Sequence, residues 1–92
     1  MTLRFEWDRR KAAANLLKHR VSFEEAKSVF FDEYARLIDD PDHSHQEERL
    51  VLLGLSHALR LLIVCHCYRR NGDVIRIISA RKATRTEATF YR

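Results

Sequence analysis

The chain has 92 residues, with 17 Lys and Arg against 13 Asp and Glu, a formal charge of +4, and 46% apolar and 33% charged residues. That balance excludes a disordered tail or a fibrous repeat, and the longest apolar run, Leu61–Cys65, is far too short to span a membrane. A single domain over residues 1–92 is expected, with a basic excess that suits a polyanionic ligand without specifying one.

Phe5-Glu6-Trp7 alternates like a short edge strand. Asp8 offers an N-cap to a helix over Arg9–His19, for which Ala13, Leu16 and Leu17 supply the apolar face. After a break at His19-Arg20-Val21, Ser22 and Glu25 form a capping-box pattern. The helix they open runs to about Phe31, with Phe23, Ala26, Val29 and Phe30 facing inward. Ala35–Ile38 is a short strand, followed by the polar loop Asp39-Asp40-Pro41-Asp42-His43-Ser44-His45, where Pro41 stops a regular ladder. Three strands follow: Arg49–Leu55, Arg60–Tyr68 after a turn near Ser56-His57, and Val74–Arg81 after Asn71-Gly72, a hairpin signal. Thr84 and Glu87 repeat the capping-box spacing and start a short helix carrying Ala88 and Tyr91. The order predicts an α+β domain, an antiparallel sheet with two N-terminal helices packed on one face and a short C-terminal helix.

The hairpin decides which side chains act together. With Asn71-Gly72 alone as the turn, Cys67 pairs opposite Arg76, and His66 and Tyr68 share a face with Ile75 and Ile77. With Arg70-Asn71-Gly72 as a three-residue loop, His66 lies opposite Arg76 and Tyr68 opposite Val74. The second register gathers His66, Tyr68 and Arg76 on one face and leaves Cys65, Cys67, Ile75 and Ile77 for the helices. It is favoured because it separates polar from apolar side chains better.

Such a cluster suits metal-free RNA cleavage. A base takes the proton of the attacking 2′-hydroxyl, an acid protonates the leaving 5′-oxygen, and cations stabilise the phosphorane. His66 has a suitable pKa for proton transfer. Arg76 and Arg81 can hold phosphate oxygens, and Tyr68 can donate a hydrogen bond or stack on a base. A solvated strand face with Arg–carboxylate pairs accounts for the same residues without catalysis. Lys18 and His19 suit the dipole at a helix C-terminus. Arg49 either faces phosphate or pairs with an acid. Cys65-His66-Cys67 and His43-Ser44-His45 invite a zinc reading, but a strand points His66 away from both cysteines, so no metal site is expected. Cys65 and Cys67 read as small core residues, and Met1–Asp8 lacks the apolar stretch of a signal peptide. A reduced, cytoplasmic protein is expected.

The whole series resembles one family. Phe5-Glu6-Trp7-Asp8, Lys11, Asn15 and Lys18-His19 look like the opening of the BrnT toxins. Ser22-Phe23-Glu24-Glu25-Ala26, Val29-Phe30, Asp40-Pro41-Asp42-His43, Glu48-Arg49 and Gly54 continue the match. Arg76-Ile77-Ile78-Ser79-Ala80-Arg81, followed by Ala83-Thr84 and Glu87, is its most specific part. The resemblance implies a RelE-like fold and a type II toxin that cleaves RNA without metal or cofactor and inhibits translation. It implies neutralisation by a BrnA-like antitoxin, through which the complex contacts operator DNA; with so small a core, a homodimer or a hetero-oligomer with the antitoxin is expected. Carried onto this chain, it marks Glu48, Arg49, Tyr68, Arg76 and Arg81 as catalytic candidates and Lys18 and His19 as RNA contacts; His66 is added from strand geometry alone. The alternative is a toxin-fold module that binds its antitoxin in operator autoregulation and catalyses nothing.

Overall fold

A computed structural model describes residues 3–39 and 49–91. In chain order it contains β1 (Arg4–Glu6), α1 (Arg9–His19), α2 (Phe23–Val29), β2 (Arg36–Ile38), β3 (Leu50–Leu55), β4 (Leu61–Arg69), β5 (Val74–Lys82) and α3 (Arg85–Ala88). The strands form one sheet in the order β1-β5-β4-β3-β2. β2 to β5 pair antiparallel through successive connections, but β1 runs parallel to β5, with Glu6 opposite Arg76. The sheet is therefore mixed, not antiparallel throughout. A parallel pair needs a long crossover, and the two helices plus the β2–β4 meander provide it.

Strand alternation divides the core in two. Leu52, Leu62, Val64, Ile77 and Ala80 cluster with Val21 and with α2's Phe23, Ala26 and Val29. Val51, Leu53 and Ile63 point to the opposite face, where Ala83 and Tyr91 cover them. The inward residues of α2 are those its spacing predicts. Gly54 admits the end of that helix: a Cβ there would stand 2.7 Å from Val29 Cγ1 and 2.9 Å from Ala35 Cβ.

The apolar face expected for α1 is not the one it buries. Ala13 is exposed, as are Leu16 and Leu17, the latter at 80%, while Ala12 and Asn15 turn inward. Asn15 is buried because its carboxamide replaces a missing strand. β1 pairs only with Val74–Arg76, so β5 has an uncovered edge near Ala80. Asn15 Nδ2 donates to the Ala80 carbonyl at 2.8 Å, and the Ala80 N–H donates to Asn15 Oδ1 at 3.1 Å. The same Nδ2 donates to the Val21 carbonyl at 2.9 Å. A side-chain amide thus satisfies backbone groups that would otherwise be buried unpaired.

Capping follows the sequence in part. Asp8 Oδ1 accepts from the Arg10 and Lys11 N–H groups, and Ser22 Oγ accepts from the Glu25 N–H. Glu25 does not close its box. Its carboxylate instead accepts from Ser56 Oγ at 2.7 Å and from both Nε and Nη2 of Arg60, tying α2 to the β3–β4 turn. Arg60 Nη2 also donates to the Arg20 carbonyl, at the left-handed C-cap of α1. At the other end Thr84 and Glu87 form a complete capping box.

Candidate functional site

The β4–β5 connection overturns the favoured register. Arg69 pairs with Val74, so Arg70–Asp73 form a four-residue loop in which Arg70, Asn71 and Gly72 all have positive φ. Four residues preserve the parity of a two-residue turn, and Cys67 therefore lies opposite Arg76, Tyr68 opposite Ile75 and His66 opposite Ile77. A bulge follows, because Cys65 pairs with Ser79 and Ile78 is left over on β5. It shifts the alternation so that Ala80 returns to the helix-covered core.

His66 is thereby separated from Arg76. Its ring has no solvent exposure and packs edge-on to Phe30 at 4.8 Å and to Tyr68 at 5.7 Å. Nδ1 lies 3.2 Å from the Val64 carbonyl, and Nε2 has no hydrogen-bond partner among the described residues. Burial lowers its pKa, against the smaller opposing effect of the Val64 bond, so the ring is neutral. A histidine placed so stands on the other side of the sheet from Arg76, which corrects the expected grouping of His66 with Arg76 on one face. Tyr68 shares its face and is 46% exposed at the end of the helix-covered side. Cys65 and Cys67, expected against the helices, instead stand half-buried on the opposite face, while Ile75 and Ile77 fill the core side.

The face opposite α1 and α2 carries Arg69, Arg76 and Arg81. Arg76 Nη1 donates to Glu6 Oε2 at 2.9 Å, and Arg69 Nε lies 4.0 Å from the same oxygen. The Arg76 hydrogen bond is the main cause that holds the Glu6 carboxyl below the usual carboxylate range. Further along β5, Arg81 grips Glu87 with two parallel bonds, both 2.8 Å. That fork, supported by the Thr84 N–H, lowers the Glu87 pKa to about 2 against the cost of its burial. Arg49 is exposed just before β3. Extending the pairing one step past Leu50–His66 puts it level with Cys67, in the same cross-strand row as Arg76 and Glu6.

Lys18 is exposed and His19 half-buried in the last turn of α1. Glu48, with His43 and His45, lies outside the described residues. Sequence reading passed over Glu6 because its importance depends on β1 pairing parallel to β5. It found Glu87 only as a cap, since the six-residue Arg81–Glu87 spacing meets only when the strand turns into α3. Among the described residues, no helix is long and apolar enough to cross a membrane.

The chain is similar to known proteins in sequence and in fold. The profile of the family described as "Ribonuclease toxin, BrnT, of type II toxin-antitoxin system" matches residues 7–87. The 1.1 Å crystal structure of the Brucella abortus ribonuclease toxin BrnT shares the fold. It aligns with a TM-score of 0.69 at 21% identity, covering 91% of this chain and 100% of that one. No curated protein matches the chain.

Proposed function

The chain belongs to the BrnT family of ribonuclease toxins of type II toxin–antitoxin systems, and we propose that it cuts RNA without metal, by attack of a 2′-hydroxyl on the adjacent phosphate. The observation that carries this reading is that Arg69, Arg76 and Arg81 all stand on the sheet face away from α1 and α2, with Arg69 and Arg76 meeting at Glu6 and Arg81 held by Glu87 further along β5. Guanidinium groups held in place stabilise a pentacoordinate phosphorane, in which negative charge accumulates on the non-bridging oxygens. Arg76 is the central cation, and Arg81 is a second cation further along β5 for the RNA strand beyond it. Arg49 extends the positive row towards β3, and the adjacent Glu48 is the candidate base. Lys18 and His19 at the end of α1 and Tyr68 on the helix-covered side lie off the arginine face, so in this reading they meet the RNA where it runs past the edge of the sheet.

A type II toxin has an antitoxin partner, and in this reading it is a BrnA-like protein that covers the arginine face and carries the operator contacts. The RelE-like architecture, action in the cytoplasm and inhibition of translation belong to the same reading.

The test is cleavage of RNA by purified protein in the presence of a chelator. Products ending in a 2′,3′-cyclic phosphate and a 5′-hydroxyl are expected; cleavage that appears only on adding a divalent cation contradicts the mechanism. A second reading, a toxin-fold module without catalysis, is favoured by one observation: Arg76 and Arg81 already have carboxylate partners within the chain. RNA bound but left intact supports that module instead.

A further inference from the structure

We infer that Glu6 is a positioning residue for RNA cleavage, its carboxylate fixing the Arg76 guanidinium on the open face of the sheet. The inference rests on the ribonuclease reading above. Its ground is the register: β1 pairs parallel with β5 so that Glu6 stands directly opposite Arg76, with Cα partners in the ladder. Cross-strand neighbours project to the same side, and here the two side chains meet at 2.9 Å. Both are about one-third exposed, 32% for Glu6 and 31% for Arg76, so the pair sits at the surface where RNA would arrive.

Three further features separate Glu6 from an incidental surface partner. Arg69 Nε, from β4, stands 4.0 Å from the same Oε2, so the carboxylate that holds Arg76 also faces a second cation from another strand. The nearby acid Asp8 is already engaged, its side chain capping α1 through the Arg10 and Lys11 N–H groups. Finally, the bond to Glu6 uses Nη1 of Arg76, and a guanidinium has five N–H donors in a rigid fork. Donors remain for a phosphate while the long side chain is held in one orientation. A free arginine samples many rotamers, and this anchoring narrows them before RNA binds.

The same contact permits the opposite behaviour, in which Glu6 occupies Arg76 as a phosphate mimic and restrains it. The two differ in sign. Glu6→Gln keeps the shape of the side chain and a hydrogen-bond acceptor but removes its charge. If Glu6 positions Arg76, kcat on an RNA substrate falls about tenfold, within the range for a slightly misplaced catalytic group. The loss vanishes in an Arg76→Ala background, where the residual cleavage is read in long incubations with protein in excess over RNA, because nothing is left to position. A merely structural role would lower activity equally in both backgrounds. An unchanged or raised kcat in Glu6→Gln, or an equal loss in both backgrounds, overturns the inference. Should Glu6→Gln unfold, Glu6→Asp retains the charge one methylene short of Arg76 and is expected to lower kcat in the same way. Binding of RNA with a 2′-deoxy group at the cleavage position keeps the two claims apart. A parent chain that binds this RNA and cleaves no RNA fails the ribonuclease reading. A parent that cleaves, beside a Glu6→Gln variant that binds and cleaves equally well, fails the inference alone.

Discussion

Asn15 and Ala80, sixty-five residues apart, are joined by a reciprocal pair of hydrogen bonds in which the carboxamide meets both backbone groups of Ala80. The contact locks α1 to β5 one residue before Arg81, so it couples helix docking to the geometry of the arginine strand.

Removing that carboxamide leaves the Ala80 N–H and carbonyl and the Val21 carbonyl without their partner. Each buried unsatisfied group costs about 1–3 kcal/mol, with some recovered by entering water. Asn15→Ala is expected to lower unfolding free energy by roughly 3 kcal/mol, and Asn15→Asp, which loses the donor, by a similar amount. Urea unfolding with circular dichroism measures this. A change within the scatter of surface substitutions would show that water takes over the role of the amide.

The Arg81–Glu87 fork makes stability depend on acid. Glu87 titrates near 2 in the folded chain against 4.5 for an ordinary glutamate. A depressed folded pKa contributes stability that is fully present above about pH 4.5 and is lost as pH falls towards 2. With about one-third of the Arg81 side chain in solvent, screening reduces the contribution to roughly 1–2 kcal/mol. Glu87→Gln, which does not titrate, should be less stable than the parent by this amount at pH 6. The gap should narrow steadily below pH 4.5. Parallel unfolding curves at all pH values would show that the fork adds nothing to stability.

His66 acts in the same direction at higher pH. Its folded pKa lies below 6.5 because burial disfavours the imidazolium. The unfolded chain therefore takes up a proton near pH 6.5 that the folded chain refuses, and stability declines as pH drops below that value. His66→Phe fills a similar space between Phe30 and Tyr68 and leaves no orphaned nitrogen. It should flatten the unfolding midpoint between pH 7 and pH 5 and leave RNA cleavage near the parent level. Loss of cleavage in a folded His66→Phe protein would return this histidine to the mechanism.

The sequence was most legible where local chemistry decides. Asp8, Ser22 and Thr84 cap helices because their side chains reach N–H groups two or three residues away, a matter of spacing alone. The α2 face was equally plain, since Phe23, Ala26 and Val29 repeat at helical intervals and nothing competes with them. The α1 face misled because leucines outweigh an asparagine in any apolar pattern. Only the uncovered edge of β5 makes Asn15 the better residue to bury. The candidate site depended on parity. Arg70 and Asn71 accept left-handed backbone that a sequence pattern assigns first to Gly72, and the longer loop reversed every neighbour of Arg76. Glu6 could not be paired with Arg76 before the parallel addition of β1 was known, and the meaning of Arg81 changed once Glu87 was found in its grip.

The central claim is that Arg76, on the face opposite His66, carries RNA cleavage. Inducible expression of the parent and of Arg76→Ala in a bacterium, with RNA integrity and growth followed over time, tests it most directly. The account predicts RNA degradation and growth arrest with the parent, and intact RNA with normal growth when folded Arg76→Ala accumulates to the same level. An Arg76→Ala chain that degrades RNA and stops growth as the parent does would contradict it.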